Sequence, residues 1–200
     1  MNLEGLLVDL VPFDERFRAR DHDWLNNESF FWGSMGDRAF IARAAVDRRY
    51  EEWRRTRHTA TGVEFGILTK DGTPIGGIGI NWLSAHHRVA DLGAVIGESA
   101  YWGGGYGTDA LLLVVDYAFD WLAMRKVWLG TMSLNARVMR QMEKVGFALE
   151  ARRREGTVVD GRWHDELIYG RMRDGWPGYA AMVKALGLAA PSLRRGEPGQ

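Results

Sequence analysis

The sequence predicts an α/β domain built on one mixed, strongly twisted sheet with helices on both of its faces. The chain has 200 residues, which is enough for a single domain with a sizeable buried core. Three strand-like segments (63–69, 74–83 and 88–97) follow one another across short connections, which favours an antiparallel meander. A glycine-rich loop, an apolar helical segment and a further strand come next, so a strand–loop–helix–strand unit follows the meander.

The first third of the chain predicts one strand and two helices. Residues 6–11 alternate loosely between apolar and polar side chains and stop at a proline, as a short strand does. Asp14 is placed to cap a helix that runs to about Leu25. Glycines and aromatic residues over 26–40 predict a loop, and an amphipathic pattern predicts a second helix over Asp47–Arg57.

The second half of the chain alternates helices with strands. Helices are predicted over Tyr106–Leu122, over Ala136–Val145 with Gly146 as its left-handed end, and over Tyr179–Leu186; strands are predicted over 126–132 and on either side of the turn at 159–162. We assign residues 1–176 to the domain and residues 177–200 to an extension. In that extension a short helix precedes a tail rich in Pro, Arg and Gly that is expected to be disordered.

Composition and charge exclude several classes of function. The formal net charge is +0 and both signs are mixed along the chain, so neither a nucleic acid nor a membrane is an expected partner. The chain contains no cysteine, which rules out disulfides and a thiol nucleophile, and no His, Asp and Glu residues have the spacing of a metal site. The first residues lack the features of a signal peptide, and no stretch approaches the ~18 apolar residues that span a bilayer. We therefore expect a cytoplasmic protein.

The glycine-rich loop is the strongest functional signal. Four glycines stand at positions 103, 104, 105 and 107, directly before a helix, where successive backbone amides and the helix dipole favour an anion. A tight turn without a ligand is the alternative, but four glycines favour a phosphate-bearing ligand. No Walker loop is present. Gly105, Gly107 and Ala110 match a dinucleotide fingerprint, yet the next strand ends without the carboxylate that a ribose needs, so we set a nicotinamide-dependent oxidoreductase aside.

Two longer segments carry a family resemblance. The stretch ADLGAVIGESAYWGGGYGTDALLLVVDYAF (90–119), followed by KVWLGTMSLNARVMRQMEKVGF (126–147), resembles the GNAT superfamily of acyl-coenzyme A N-acyltransferases. Within it, the chain is most similar to the ribosomal-protein N-terminal acetyltransferase type and also similar to spermidine acetyltransferases, over about residues 5–176. The resemblance implies acetyl-coenzyme A as cosubstrate, no metal, and a sheet that splits in a V at the strand 90–97, with the splay placed at Gly97.

The resemblance also implies a coenzyme site. Trp102, Gly105 and Gly107 occupy the fixed positions of the family pattern [Q/R]-x-x-G-x-[G/A], with Trp102 in place of Gln or Arg. Gly104 stands where relatives often carry Lys or Arg. A side-chain contact to the phosphate is therefore lost, and the backbone has to supply more of the binding. The pyrophosphate would be held by the amides of Gly103, Gly104, Gly105, Tyr106, Gly107 and Thr108, and the pantetheine arm would pair with Val95, Ile96 and Gly97. Asn135 matches an asparagine that contacts the coenzyme, although it also suits a helix N-cap.

Acetyl transfer to an amine needs a base, an oxyanion site and a proton for the departing thiolate. Asp91 is our first candidate base, and the alternative is an exposed strand carboxylate or a partner for Arg88. Glu98 is the second candidate base. The amide of Val95 or Ile96 would serve the oxyanion. Met142 stands where many relatives carry a tyrosine that protonates the thiolate, so Ser133 or a water would supply that proton, unless the thiolate, a fairly good leaving group, departs without one.

The acceptor is expected to be a primary amine that attacks directly in a ternary complex. Trp32, Trp82 and Tyr169, with His164 and Asp165 beside them, are the candidate substrate contacts. A protein or peptide N-terminus, a polyamine and an amino sugar all stay open as substrates. A non-catalytic coenzyme A-binding or scaffold protein on the same fold is the rival function, and a homodimer is possible.

Overall fold

The computed structural model describes residues 2–38, 40–56 and 62–189. Within these ranges it contains eight strands and six α-helices, besides a 3₁₀ turn and a π-helical turn. The strands are β1 (Leu3–Glu4), β2 (Val8–Pro12), β3 (Val63–Thr69), β4 (Pro74–Ser84), β5 (Val89–Ile96), β6 (Lys126–Met132), β7 (Ala148–Val159) and β8 (Arg162–Met172). The helices are α1 (Glu15–Leu25), α2 (Glu28–Gly33), α3 (Arg43–Thr56), α4 (Tyr106–Asp116), α5 (Ala136–Val145) and α6 (Tyr179–Leu186).

All eight strands form one mixed sheet in the order β1-β2-β3-β4-β5-β6-β8-β7. The predicted meander is confirmed, because β3, β4 and β5 pair in sequence order and antiparallel. The parallel pair is β5 with β6, which are joined by the crossover through α4. The α/β class with a mixed sheet is therefore as predicted.

The sheet splits between β5 and β6. Three residues of β5, Val89–Asp91, pair with Lys126–Trp128, whereas the other edge of β5 pairs with β4 as far as Ile96. From Leu92 onward the two parallel strands diverge and leave a gap. The predicted splayed strand is confirmed, but the split begins at Leu92 rather than at Gly97. We call the last paired position, Asp91 beside Trp128, the fork.

The two faces of the sheet are covered differently. Helix α4 lies on the back face, where its apolar side chains pack against buried residues of β4 and β5 such as Ile80 and Leu92. Helices α1 and α2 lie on the front face against β4 and β5. Phe17 of α1 is fully buried there, and its ring occupies the space that a side chain at Gly66 would need. The front helices cover the sheet only in part, and a cleft remains.

Several predicted element boundaries need correction. The segment 26–40 contains the short helix α2, because the side chain of Asn27 accepts a hydrogen bond from the amide of Ser29 (2.7 Å) and caps it. Helix α3 begins at Arg43, earlier than predicted, and Arg57 lies outside the described residues. Helix α4 ends at Asp116 and passes into a π-helical turn instead of continuing to Leu122.

The predicted helix over Tyr179–Leu186 is confirmed as α6, and it is bound tightly to α4. The Tyr179 hydroxyl donates to the buried carboxylate of Asp109 (2.7 Å) and accepts from the amide of Leu6 (2.6 Å). Burial, together with the hydrogen bond to Asp109, raises the pKa of Tyr179 above its usual range. Asp116, two turns further along α4, accepts from the amide of Tyr179 and from the indole of Trp176. The tail from residue 190 onward lies outside the described residues.

Candidate active site

The glycine loop connects β5 to the N-terminus of α4. Gly103 and Gly105 have φ angles of +81° and +89°, in the left-handed region that favours glycine. Gly105 is the N-cap of α4 and has no side chain to cap it, so the first amides of the helix have no partner within it. Gly104 is exposed, and the loop turns bare main chain toward solvent. Such an arrangement suits a phosphate group.

Helix α5 lies along this loop and contacts both of its ends. The guanidinium of Arg137 stacks over the indole of Trp102 at 4.3 Å. One turn later, the side-chain amide of Gln141 donates to the hydroxyl of Thr108 at 3.3 Å. The Trp102 indole in turn donates to the carbonyl of Ile96 at 2.8 Å, which ties the loop to the end of β5.

The free edge of β5 faces the gap with alternate residues. The amide of Gly97 donates to the carbonyl of Ile75 at 2.8 Å, on the β4 side. Because backbone groups alternate along a strand, Val95 also turns its peptide groups to β4, and those of Ala94 and Ile96 face the gap. Of the amides expected to hold the pantetheine arm and the oxyanion, Ile96 is thus positioned to do so and Val95 is not.

Gly97 has a structural role in the described fold. Its carbonyl accepts hydrogen bonds from the hydroxyl of Ser29 (2.8 Å) and the side-chain amide of Asn27 (3.2 Å). A Cβ at this position would lie 2.3 Å from the indole of Trp24. Since its N–H is also engaged, Gly97 has no backbone group left for the pantetheine arm, which corrects the expectation from the sequence.

Asp91 lies at the fork between two tryptophans. The register places Trp82 of β4 and Trp128 of β6 beside it, in one row across the front face. The side-chain amide of Asn81, the extra residue of a bulge in β4, lies 3.5 Å from the carboxylate. Burial raises the pKa of Asp91, and the Asn81 contact opposes that effect. Arg88, the alternative partner, instead donates to the carbonyl of Ala123.

Two other candidates for proton transfer are engaged within the fold. Glu98 forms an ion pair with Arg20 (2.6 Å) and accepts from the indole of Trp24 (3.0 Å), so it holds the loop to α1. Ser133 follows β6, where its hydroxyl accepts from the amide of Asp165 at 3.2 Å and keeps its own proton to donate. Asp91 is the candidate base at the fork.

Asn135 and Met142 are both buried. The Asn135 side chain caps α5 by accepting from the amide of Val138 at 3.3 Å, which leaves its NH₂ group for a ligand. Met142 is 1% exposed and belongs to the core, so it offers nothing in place of a tyrosine proton donor.

A cleft of about 530 Å³ opens on the front face beneath α1, α2 and α3. Its floor is bare backbone, formed by Gly77 and Gly79 of β4 and Gly93 of β5. Trp24 and Phe30 are among its aromatic walls. The cleft reaches Asn81, and through that side chain it adjoins Asp91.

The predicted acceptor residues are divided by the structure. Trp82 is 49% exposed and lies next to Asp91, as an acceptor contact should. Trp32 donates its indole N–H to Glu28 at 3.1 Å, and Phe30 is the aromatic residue of α2 that lines the cleft. Tyr169 is 3% exposed and packs in the core behind the sheet, so it has no access to the cleft.

Trp128, Arg137 and Phe30 were missed by sequence reasoning. Trp128 follows Val127 in a strand, where each shift by one residue changes the face, and the pattern alone does not say which face is open.

In the described ranges, no group of three or more His, Asp and Glu side chains is arranged to hold a metal ion. No helix in those ranges is long and apolar enough to cross a membrane.

Comparison with known proteins shows the family and supports the fold. A family described as "Acetyltransferase (GNAT) domain" matches residues 9–148. The "Putative ribosomal N-acetyltransferase YdaF" of Bacillus subtilis is 31% identical over 127 residues, which is 64% of this chain and 68% of that protein. The fold is similar to the crystal structure of spermidine N-acetyltransferase from Vibrio cholerae in complex with coenzyme A and spermine, with a TM-score of 0.76 and 18% identity, over 85% of this chain and 98% of that one.

Proposed function

Because this chain belongs to the GNAT acetyltransferase family and is an acyltransferase, we propose that it moves an acetyl group from acetyl-coenzyme A to a primary amine. The gap beside β5 carries the proposal: it leads from the glycine loop at one end to the carboxylate of Asp91 at the other. Asp91 and Ile96 are five residues apart, or about 17 Å along the strand, a span suited to an extended arm.

In this proposal the backbone of the loop holds the diphosphate, and the arm runs along the gap. The amides of Ala94 and Ile96 face that gap and supply hydrogen bonds to the arm and to the developing oxyanion. These groups are fixed by the pairing of β5 with β4, so they need little reorganisation during the reaction. The thioester carbonyl is thereby directed toward the fork.

Asp91 acts as the base, directly or through one water. It takes a proton from the ammonium group, the amine nitrogen bonds to the thioester carbon, and the carbon–sulfur bond breaks. Once it is bonded to the acyl carbon, the nitrogen still carries one proton more than an amide does. It passes that proton to Ser133 or to a water, which gives its own proton to the departing thiolate. Burial raises the pKa of Asp91, which brings it closer to the pKa of an amine and makes the carboxylate a stronger base.

The acceptor approaches through the front cleft. Trp82 and Trp128 flank Asp91, and indole faces next to a carboxylate favour a cationic ammonium group. A peptide N-terminus, a polyamine and an amino sugar each present such a group. The solved relative that holds spermine supports a polyamine, and the relative named for ribosomal acetylation supports a peptide.

A thiol-release assay with acetyl-coenzyme A and a panel of these amines tests the proposal. We expect turnover with at least one amine class and a fall of about 100-fold or more in kcat for Asp91→Asn, in line with the loss of a general base. Binding of acetyl-coenzyme A without thiol release across the panel would favour the rival, a non-catalytic coenzyme A-binding protein. Unchanged turnover in Asp91→Asn would remove Asp91 as the base.

A further inference from the structure

The glycine loop contains no basic side chain. Its sequence over 101–108, YWGGGYGT, offers backbone amides and hydroxyl groups but no lysine or arginine. The phosphate groups of a nucleotide coenzyme carry several negative charges, and charge-assisted hydrogen bonds to phosphate are about twice as strong as neutral ones. A cation therefore has to come from another element if the loop is to hold such a ligand tightly.

Helix α5 brings one cation to the edge of the loop. Arg137 stands in its first turn, and the guanidinium lies 4.3 Å above the indole of Trp102. Trp102 is itself fixed, because its N–H donates to the carbonyl of Ile96. The stacked guanidinium is held flat by its platform, and its N–H donors remain at the rim.

Arg137 forms no ion pair with a carboxylate among the described residues. Burial lowers the pKa of Arg137, and the charge of Glu28 opposes that effect. No salt bridge joins these two side chains in the part of the chain that the structure describes. Arg20 of α1 lies near the start of the same loop and differs in this respect, because it is paired with Glu98 at 2.6 Å.

A second side chain of α5 fixes the helix against the loop. Gln141 lies one turn after Arg137 on the same face and donates to the hydroxyl of Thr108, in the first turn of α4. The two side chains thus contact the loop at both ends, Trp102 and Thr108, and the position of Arg137 is set by the packing of α5.

We propose that Arg137, held over Trp102, binds a phosphate group of the coenzyme and supplies the positive charge that the glycine loop lacks. This inference rests on the proposed function, because it concerns the same coenzyme site. The ligand chemistry is a phosphate ester of a nucleotide, either the diphosphate or the 3′-phosphate of coenzyme A.

Calorimetric titration of the full chain with coenzyme A and with 3′-dephospho-coenzyme A tests the proposal. We expect Arg137→Gln to raise the Kd of coenzyme A about tenfold, which is the effect of one charge-assisted hydrogen bond. Arg140→Gln is the matched control, since Arg140 is an exposed arginine of the same helix, as Arg137 is, but only Arg137 stacks on Trp102 of the loop. A loss toward both ligands assigns Arg137 to the diphosphate, and a loss toward coenzyme A alone assigns it to the 3′-phosphate.

A rescue experiment distinguishes charge from packing. Gly104 is exposed, and a Cβ there would lie 2.8 Å from the ring of Tyr106, which has to shift slightly in any Gly104 variant. Gly104→Lys returns a cation to the loop, and Gly104→Gln carries the same crowding without the charge. We expect Gly104→Lys to restore affinity in the Arg137→Gln background, and Gly104→Gln to restore none. Trp102→Leu should weaken binding less than Arg137→Gln does, because it removes the platform and keeps the charge.

The failures are separable. If the wild-type chain does not bind coenzyme A, the proposed function fails. If the wild type binds and Arg137→Gln matches Arg140→Gln, the role of Arg137 is overturned and the proposed function stands. If Gly104→Gln rescues as well as Gly104→Lys does, charge is not what Arg137 supplies, and the inference is equally overturned.

Discussion

The two faces of strand β5 have opposite chemistry. On the back face Ala90 and Leu92 are buried beneath α4 in the apolar core. On the front face Asp91, Gly93 and Val95 alternate with them, next to the front cleft. Stability on the back comes from large apolar side chains that leave water. The front face lacks such side chains, because its glycines leave room for a ligand. It also holds a carboxylate where burial disfavours the charge.

This comparison separates residues that hold the fold from residues that serve the reaction, although both belong to one strand. A buried apolar residue lowers the free energy of the native state. Asp91 raises it, because burial shifts its pKa upward and the charged form is less favourable in the fold than in the unfolded chain. Substitutions at front-face positions of β5 should therefore change turnover, and substitutions at back-face positions should change the free energy of unfolding.

The largest effect is expected for Asp91→Asn. Beyond the loss of turnover, we expect its free energy of unfolding at pH 7 to equal or exceed that of the wild type, because the substitution removes a disfavoured charge. The advantage should vanish below the usual pKa of 3.8, where the carboxylate is protonated in both states. Chemical denaturation at pH 7 and pH 3.5 measures it. A destabilised Asp91→Asn variant would contradict the separation of the two faces.

Leu92→Ala is the counterpart on the back face. Removal of this buried side chain should lower the free energy of unfolding by about 2–5 kcal/mol, since the cavity left in the core closes only in part. The kcat of the folded fraction should change little, because the backbone of β5 stays paired with β4. Chemical denaturation gives the free energy of unfolding, and active-site titration with coenzyme A gives the folded fraction to which kcat is referred. A fall in kcat per folded molecule as large as that of Asp91→Asn would show that the faces are coupled.

Local patterns predicted the back face and most of the elements. Asp14 caps α1 as expected, and Gly146 ends α5 in the left-handed conformation. The same reasoning failed at Asn27, which was placed in a predicted loop over 26–40 although its side chain is the cap of α2. Asparagine is common in loops and at helix caps alike. The outcome depends on whether the carbonyl of Gly97 lies within reach of Asn27 and Ser29, which local sequence does not contain.

The front face depended on contacts between distant segments. The fork requires the register between β5 and β6, and its place at Asp91 rather than Gly97 follows from where their pairing stops. Tyr169 was expected at the acceptor site, but the two-residue period of β8 turns it to the core. Arg137 and Trp102 belong to different units of the chain, so only the packing of α5 reveals their contact.

Dependence of the reaction on pH sharpens the role assigned to the tryptophans. The pKa of Asp91 lies above its usual value, so kcat/KM should fall on acidification at a higher pH than for an exposed aspartate. Trp128→Ala should admit water to the fork, lower that pKa and move the acid limb to lower pH, whereas Trp128→Phe should keep the limb near its wild-type position. Asp21 and Glu64 also line the adjoining cleft and stay unchanged in both variants. An acid limb that is identical in all three proteins would exclude Trp128 as a neighbour that tunes Asp91.

The smallest effect is expected on the cleft floor. A Cβ at Gly77 would lie 3.3 Å from the ring of Phe13 and 3.6 Å from a carboxylate oxygen of Glu64, so Gly77→Ala fits with a small adjustment and adds a methyl group to the cleft. We expect the KM of the amine to rise a few-fold, about what one methyl group is worth, while the KM of acetyl-coenzyme A stays unchanged. The KM of acetyl-coenzyme A is the internal control, because the gap proposed for the coenzyme lies on the other edge of β5. If the KM of acetyl-coenzyme A rose instead, the cleft would belong to the coenzyme, and the acceptor would have to enter from the β6 side of the fork.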